Sequence, residues 1–148
     1  MAYLSTPVKK LHLFILASFL CFAGCNSKNY PLGDLPEDQI VFGNGGGMTG
    51  EIKQYILLKN GQLFQSSSLS REMVELDKID KRQAESYFKK MEVLNGITFD
   101  HPGNRYYFIT HLSTGTERKW VWGSVDHTSP PEIQELYNAL ITIILPSN

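Results

Sequence analysis

The chain is 148 residues long, with 14 Lys and Arg against 15 Asp and Glu and a formal net charge of −1. It has no basic excess and no cluster of Lys or Arg to neutralise phosphates, which argues against nucleic acid as a partner class. At 42% hydrophobic and 20% charged residues, the composition is that of an ordinary globular protein of single-domain size.

Lys9 and Lys10 precede an apolar run from Leu11 to Phe22, closed by the small pair Ala23-Gly24 before Cys25. A basic start, a short apolar core and small residues at a cleavage point describe a secretory signal peptide. The core of about a dozen residues is too short for a transmembrane helix, which needs roughly 20. Phe22-Ala23-Gly24-Cys25 resembles the lipobox of bacterial lipoproteins, with Phe22 where that pattern usually carries Leu. The resemblance implies that residues 1–24 are a discarded signal peptide and that Cys25 is lipidated and begins the mature chain. An ordinary signal peptide ending near a cysteine, or an uncleaved anchor, is the alternative.

The chain's 148 residues less the 24 of the leader leave 124, and the loss of Lys9 and Lys10 leaves 12 basic residues against 15 acidic, a charge of −3. Cys21 leaves with the leader and Cys25 is taken by lipid, so the folded part has no thiol. Thiolate chemistry and cysteine-bound zinc are thereby excluded. Several acyl chains, at about 0.8 kcal/mol per buried methylene, give durable attachment to a bilayer. Lipoproteins with a neutral residue at the position of Asn26 are commonly carried to the outer membrane. The expected address is therefore the bacterial cell envelope.

Asn26 to Asp38 is polar, carries Pro31, Gly33 and Pro36, and reads as a tether holding the domain off the lipid. The domain itself is expected over 39–148. A first strand, Gln39 to Phe42, is followed by the glycine run Gly43 to Gly50 and a second strand, Glu51 to Lys59. Asn60-Gly61 predicts a type I′ hairpin turn into a third strand, Gln62 to about Ser67. The stretch from Ser66 to Lys78 reads as an exposed connection. Asp80 and Gln83 have capping-box spacing, and Ala84, Tyr87, Phe88, Met91 and Leu94 form one buried helical stripe that Asn95-Gly96 stops.

Asp100 to Asn104 reads as a turn. Arg105 to Leu112 alternates, with Tyr106, Phe108, Thr110 and Leu112 on one side and Tyr107, Ile109 and His111 on the other. Glu117 to Gly123 is a further strand with Trp120 and Trp122 on one face. Ser129-Pro130-Pro131-Glu132 reads as a second capping box with Pro130 at the first helical position. Ile133, Leu136, Tyr137, Leu140, Ile141, Ile144 and Leu145 make its apolar face, ended by Pro146. This order predicts an α+β domain: an antiparallel sheet of about 4–5 strands with two helices packed on one face.

The run Gly43-Asn44-Gly45-Gly46-Gly47-Met48-Thr49-Gly50 holds five glycines in eight residues. Such a segment is a tight corner or a place where something approaches main chain. It lacks the following helix and the lysine of a phosphate-binding loop. His101, His111 and His127 have no metal-ligand spacing, and the chain contains no Gly-x-Ser-x-Gly elbow. No carboxylate pair sits in an apolar setting, so an enzyme is not expected, nor a cofactor or metal. Trp120 and Trp122 read as core under a helix or, facing outward near the glycine run, as an aromatic platform for a peptide, glycan or protein partner; a small-ligand or enzymatic pocket near them requires His101, His111 or His127 to converge on one site.

Gly46-Gly47-Met48-Thr49-Gly50 after a short strand resembles the Gly-Gly-Phe-Ala/Thr-Gly signature of the emfourin-like, or protealysin-inhibitor, family. The element order from about Ile40 to Leu145 is similar, with Met48 at the usual aromatic position. The resemblance implies a protein-binding domain that inhibits thermolysin-like metalloproteases through Gly45, Gly46, Gly47, Met48, Thr49 and Gly50. The competing expectation is a structural envelope lipoprotein in which the glycines only turn a corner.

Overall fold

The computed structural model describes residues 28–145, so Cys25, the leader and Pro146 lie outside the described residues. Four strands come first: β1 (Gln39–Gly46), β2 (Ile52–Leu58), β3 (Leu63–Ser67) and β4 (Met73–Leu76). Helix α1 (Lys81–Met91) ends in a single 3-10 turn, Glu92–Leu94. Strands β5 (Asp100–His101), β6 (Arg105–Ser113) and β7 (Thr116–Trp122) and helix α2 (Pro131–Thr142) complete the elements of the described residues. The fold is mixed α+β, with a seven-stranded sheet in the order β4-β3-β2-β1-β6-β7-β5.

The sheet is larger than the expected 4–5 strands, and it is mixed rather than purely antiparallel. β5 runs parallel to β7, with Asp100 opposite Val121 and His101 opposite Trp122, in the stretch expected to be only a turn. β4 lies inside the stretch expected to be an exposed connection and pairs with β3 as an edge strand. Both added strands are too short to show a period of two, so register with a longer neighbour defines them.

The larger correction concerns β1. It does not stop at Phe42 but runs to Gly46, paired along its length with β2 on one side and β6 on the other. The strand glycines make room. A Cβ on Gly45 would stand 2.6 Å from the Tyr106 hydroxyl, and one on Gly43 would strike the Lys53 carbonyl. Tyr106 and Phe108 stand directly across from Gly45 and Gly43, and the Tyr106 ring fills the space that a side chain at Gly45 would take.

One face of the sheet carries both helices. Ile40, Phe42, Tyr55, Leu57, Leu63, Ile109, Trp120 and Trp122 meet Ala84, Tyr87, Phe88, Met91 and Leu94 from α1 and its 3-10 turn. From α2 come Ile133, Leu136, Tyr137 and Leu140. Asp80 caps α1, its carboxylate accepting from the Arg82 and Gln83 amides, and Gly96 (φ 92°) follows the 3-10 turn. At α2 the expected box is absent. Pro130 is the capping residue, Pro131 opens the helix, and Ser129 instead accepts from Gln134 Nε2 at 2.7 Å. The helix ends at Thr142, which leaves Leu145 exposed.

The β2–β3 turn also differs from expectation. Only Gly61 of the Asn60-Gly61 pair has positive φ, so a type I′ turn is excluded. Gly61 N–H donates to Leu58 O and Leu58 N–H to Gln62 O, the pattern of a three-residue hairpin whose last residue is a bulge.

The stretch expected as a tether is docked from Lys28 onward. Tyr30 N–H donates to Gln62 Oε1 at 2.8 Å, and Gln62 Nε2 returns a bond to Tyr30 O at 3.1 Å. Asn60 Nδ2 donates to Lys28 O at 2.7 Å. Tyr30 and Leu35 also cover Ile56, Leu58 and Phe64 on the sheet face away from the helices. The segment forfeits its chain entropy for two apolar contacts and a set of part-buried hydrogen bonds, and it becomes part of the domain.

Candidate interaction surface

The strand directions give the molecule two distinct ends. The β2–β3 turn stands at one, where Gln39 pairs with Leu58 and the chain enters from Lys28. The β1–β2 turn stands at the other, about 23 Å away along the seven residues of β2.

At that far end the β1–β2 turn is held by main chain. Gly46 N–H donates to Glu51 O at 3.2 Å, Gly47 N–H to Asn104 O at 2.8 Å, and Gly50 N–H to Gly47 O at 3.4 Å. Gly46, Gly47 and Gly50 all have positive φ. Gly46 admits no other residue, since a Cβ there would also collide with the Asn104 carbonyl. The consequence is a short, rigid turn that projects Met48, which is fully exposed at 106%.

The six residues expected to touch a partner thus divide. Gly45 is buried in β1 and Gly46 ends it, so both shape the strand, and Gly47 is half-buried against the β5–β6 connection. Met48, Thr49 and Gly50 are exposed.

Two further turns reach the same end. Ser68 N–H donates to Ile52 O, and its Oγ accepts from Ile52 N–H, each at 2.9 Å. These bonds fasten the β3–β4 turn beside the β1–β2 turn and set out Leu69, 62% exposed. Beyond β7, Ser124 N–H donates to His101 O at 3.0 Å, and the next residue, Val125, is 98% exposed. Met48, Leu69 and Val125 therefore stand at the same end of the sheet, the β3–β4 and β1–β2 turns about 10 Å apart and the turn after β7 about 15 Å further along at the usual spacing of strands.

Single exposed apolar residues are commonplace, but three on turns at one end of the sheet mark that end as the candidate surface. Sequence reasoning found Met48 and missed the other two. Their shared signal is an isolated apolar residue between turn formers, as in Ser68-Leu69-Ser70 and Ser124-Val125-Asp126.

The other candidates fall elsewhere. Trp120 and Trp122 are 2% and 8% exposed. Trp120 Nε1 donates to Ile97 O at 2.8 Å, and Trp122 meets Tyr137 edge-on at 4.9 Å, so the two rings are core rather than a platform. Tyr137 is desolvated there, which pushes its hydroxyl up to about 12, against a lesser lowering by a hydrogen bond from the Asn44 side chain. His101 and His127 stack at 3.8 Å near the far end. His111 lies at the other end beside Asp38, 3.4 Å away, and edge-on to Phe88. The three histidines do not converge on one site. Among the described residues no group of three or more His, Cys, Asp or Glu is placed to hold a metal ion. No described helix is long and apolar enough to cross a membrane.

No known protein family, no curated protein and no solved structure matches this chain.

Proposed function

We propose that this protein is a lipid-anchored lipoprotein of the bacterial envelope, held at the outer membrane through Cys25. On this reading its domain is not an enzyme but binds another protein through the far-end turns. One observation carries the reading: Met48, Leu69 and Val125 are displayed on rigid turns at the end opposite the chain's entry from Cys25. An anchored protein that reaches for a partner is built this way, because the end away from the bilayer is the accessible one. A backbone already fixed by hydrogen bonds adds little ordering cost on docking.

The resemblance to the emfourin-like family makes a thermolysin-like metalloprotease the partner to try first. Titration of the domain, residues 26–148, against such a protease tests this. Stoichiometric loss of activity, with the domain left uncut, is the expected result. Rapid cleavage, or activity unchanged at excess domain, refutes inhibition.

A structural envelope lipoprotein is a second reading, and the buried Gly45 and the crowded Gly43 and Gly46 favour it, since they serve the sheet. That reading requires no partner at Met48, Leu69 or Val125.

A further inference from the structure

The docked residues 28–38 change what a lipid at Cys25 would do. Lys28 is the first described residue, and its carbonyl is fixed by Asn60 on the β2–β3 turn. Two residues, Asn26 and Ser27, separate it from Cys25, a reach of at most about 10 Å over three Cα–Cα steps. The polar layer of each bilayer leaflet is itself roughly 5–8 Å deep. A lipid on Cys25 therefore leaves no slack to hold the domain clear of the membrane.

The surface at that point has a specific chemistry. A cleft of about 380 Å³ opens beside Lys28, lined by Tyr30, Asp38, Lys59, Lys81 and Glu85 among others. Lys28 Nζ lies 4.9 Å from the centre of the Tyr30 ring, Lys59 pairs with Asp38, and Lys81 stands 3.7 Å from Glu85. Three ammonium groups and two carboxylates make a cleft of mixed sign. Lys81 and Glu85 are each about half exposed, and an exposed pair of this kind exchanges partners at little cost.

We propose that the β2–β3 end of the domain rests on the bilayer and that this cleft receives a zwitterionic phospholipid headgroup. The phosphate meets Lys28 and Lys81, and the headgroup amine meets Glu85 and Asp38. The proposal rests on the lipoprotein reading and deepens it: the anchor fixes an orientation, with Met48, Leu69 and Val125 held about 25 Å above the surface.

The test uses the full-length chain, processed in a bacterium and reconstituted into vesicles of phosphatidylethanolamine and phosphatidylcholine. The mass of the purified protein first reports whether Cys25 is acylated. An unacylated Cys25 overturns the anchoring reading, and this proposal with it, on a readout separate from the rest. The acylated mature chain has no thiol, so a fluorophore is placed on Arg82→Cys or on Met48→Cys, and a quencher is attached to lipid headgroups. Quenching at position 82 is expected to exceed that at position 48 at least five-fold. K28E combined with K81E should cut it at least two-fold, with an unchanged melting temperature. Equal quenching at the two positions, or quenching at 82 that ignores the charge reversal, overturns the proposal.

Discussion

Gly46 and Met48 are two residues apart and answer to different physics. Gly46 has φ +90°, and a side chain there would collide with the Asn104 carbonyl. Gly46→Val is therefore expected to destabilise the fold by about 3 kcal/mol, from left-handed strain and overpacking together. Thermal melting should show this as a drop of roughly 10 °C. Met48 touches nothing that folding needs, so Met48→Asp should leave melting within about 2 °C, as most surface changes do. The same variant should weaken partner binding at least ten-fold. Tyr137 supplies a pH dependence. Its folded pKa, raised to about 12 from 10, means that the unfolded chain ionises first. The stabilisation it gives is complete below pH 10 and is lost as pH rises towards 12. Tyr137→Phe should remove that part of the alkaline loss in pH-dependent denaturation. At this scale the sequence announced glycine but not its use. A run of Gly looks the same whether it turns a corner or clears space for aromatic rings, and only Tyr106 and Phe108, some 60 residues away, decide which.

The elements that were legible are those whose signal is local and long. The stripe of Ala84, Tyr87, Phe88, Met91 and Leu94 is buried as its spacing demands, and Asp80 caps as its position demands. The alternation of β6 also holds, with Tyr106 and Phe108 on one face and Ile109 in the core on the other. What escaped was set by long-range pairing: β4, β5, the glycine half of β1, and the docking of residues 28–38. The last depends on Gln62, whose side chain bonds Tyr30 N–H, Tyr30 O and Glu75 and meets Asn60. Nothing in a polar, Pro- and Gly-bearing segment foretells that a buried amide 32 residues away will hold it. Gln62→Ala should cost about 2 kcal/mol, because the Tyr30 backbone is then left partly unsatisfied. Hydrogen exchange at Tyr30 should quicken far more than exchange at Ile40 in the core.

The whole molecule is polar in the mechanical sense. Its chain enters at the β2–β3 turn, and its apolar turns stand at the far end of the sheet, with two helices stiffening the span between. The buried tryptophans belong to the core, and the described histidines are divided between the two ends of the sheet. One of the three residues of the candidate surface, Met48, was readable from its turn. Leu69 and Val125 became part of it only when the sheet order set three separate turns side by side. These three turns are the surface proposed to meet the partner. The most direct measurement places a photocrosslinking residue at position 48, 69 or 125, or at the control position 118, in the anchored protein in intact cells. Protein adducts of one shared, discrete mass from positions 48, 69 and 125, and none from 118, are the predicted result. Adducts from 118 alone, or from none of the four positions, would contradict it.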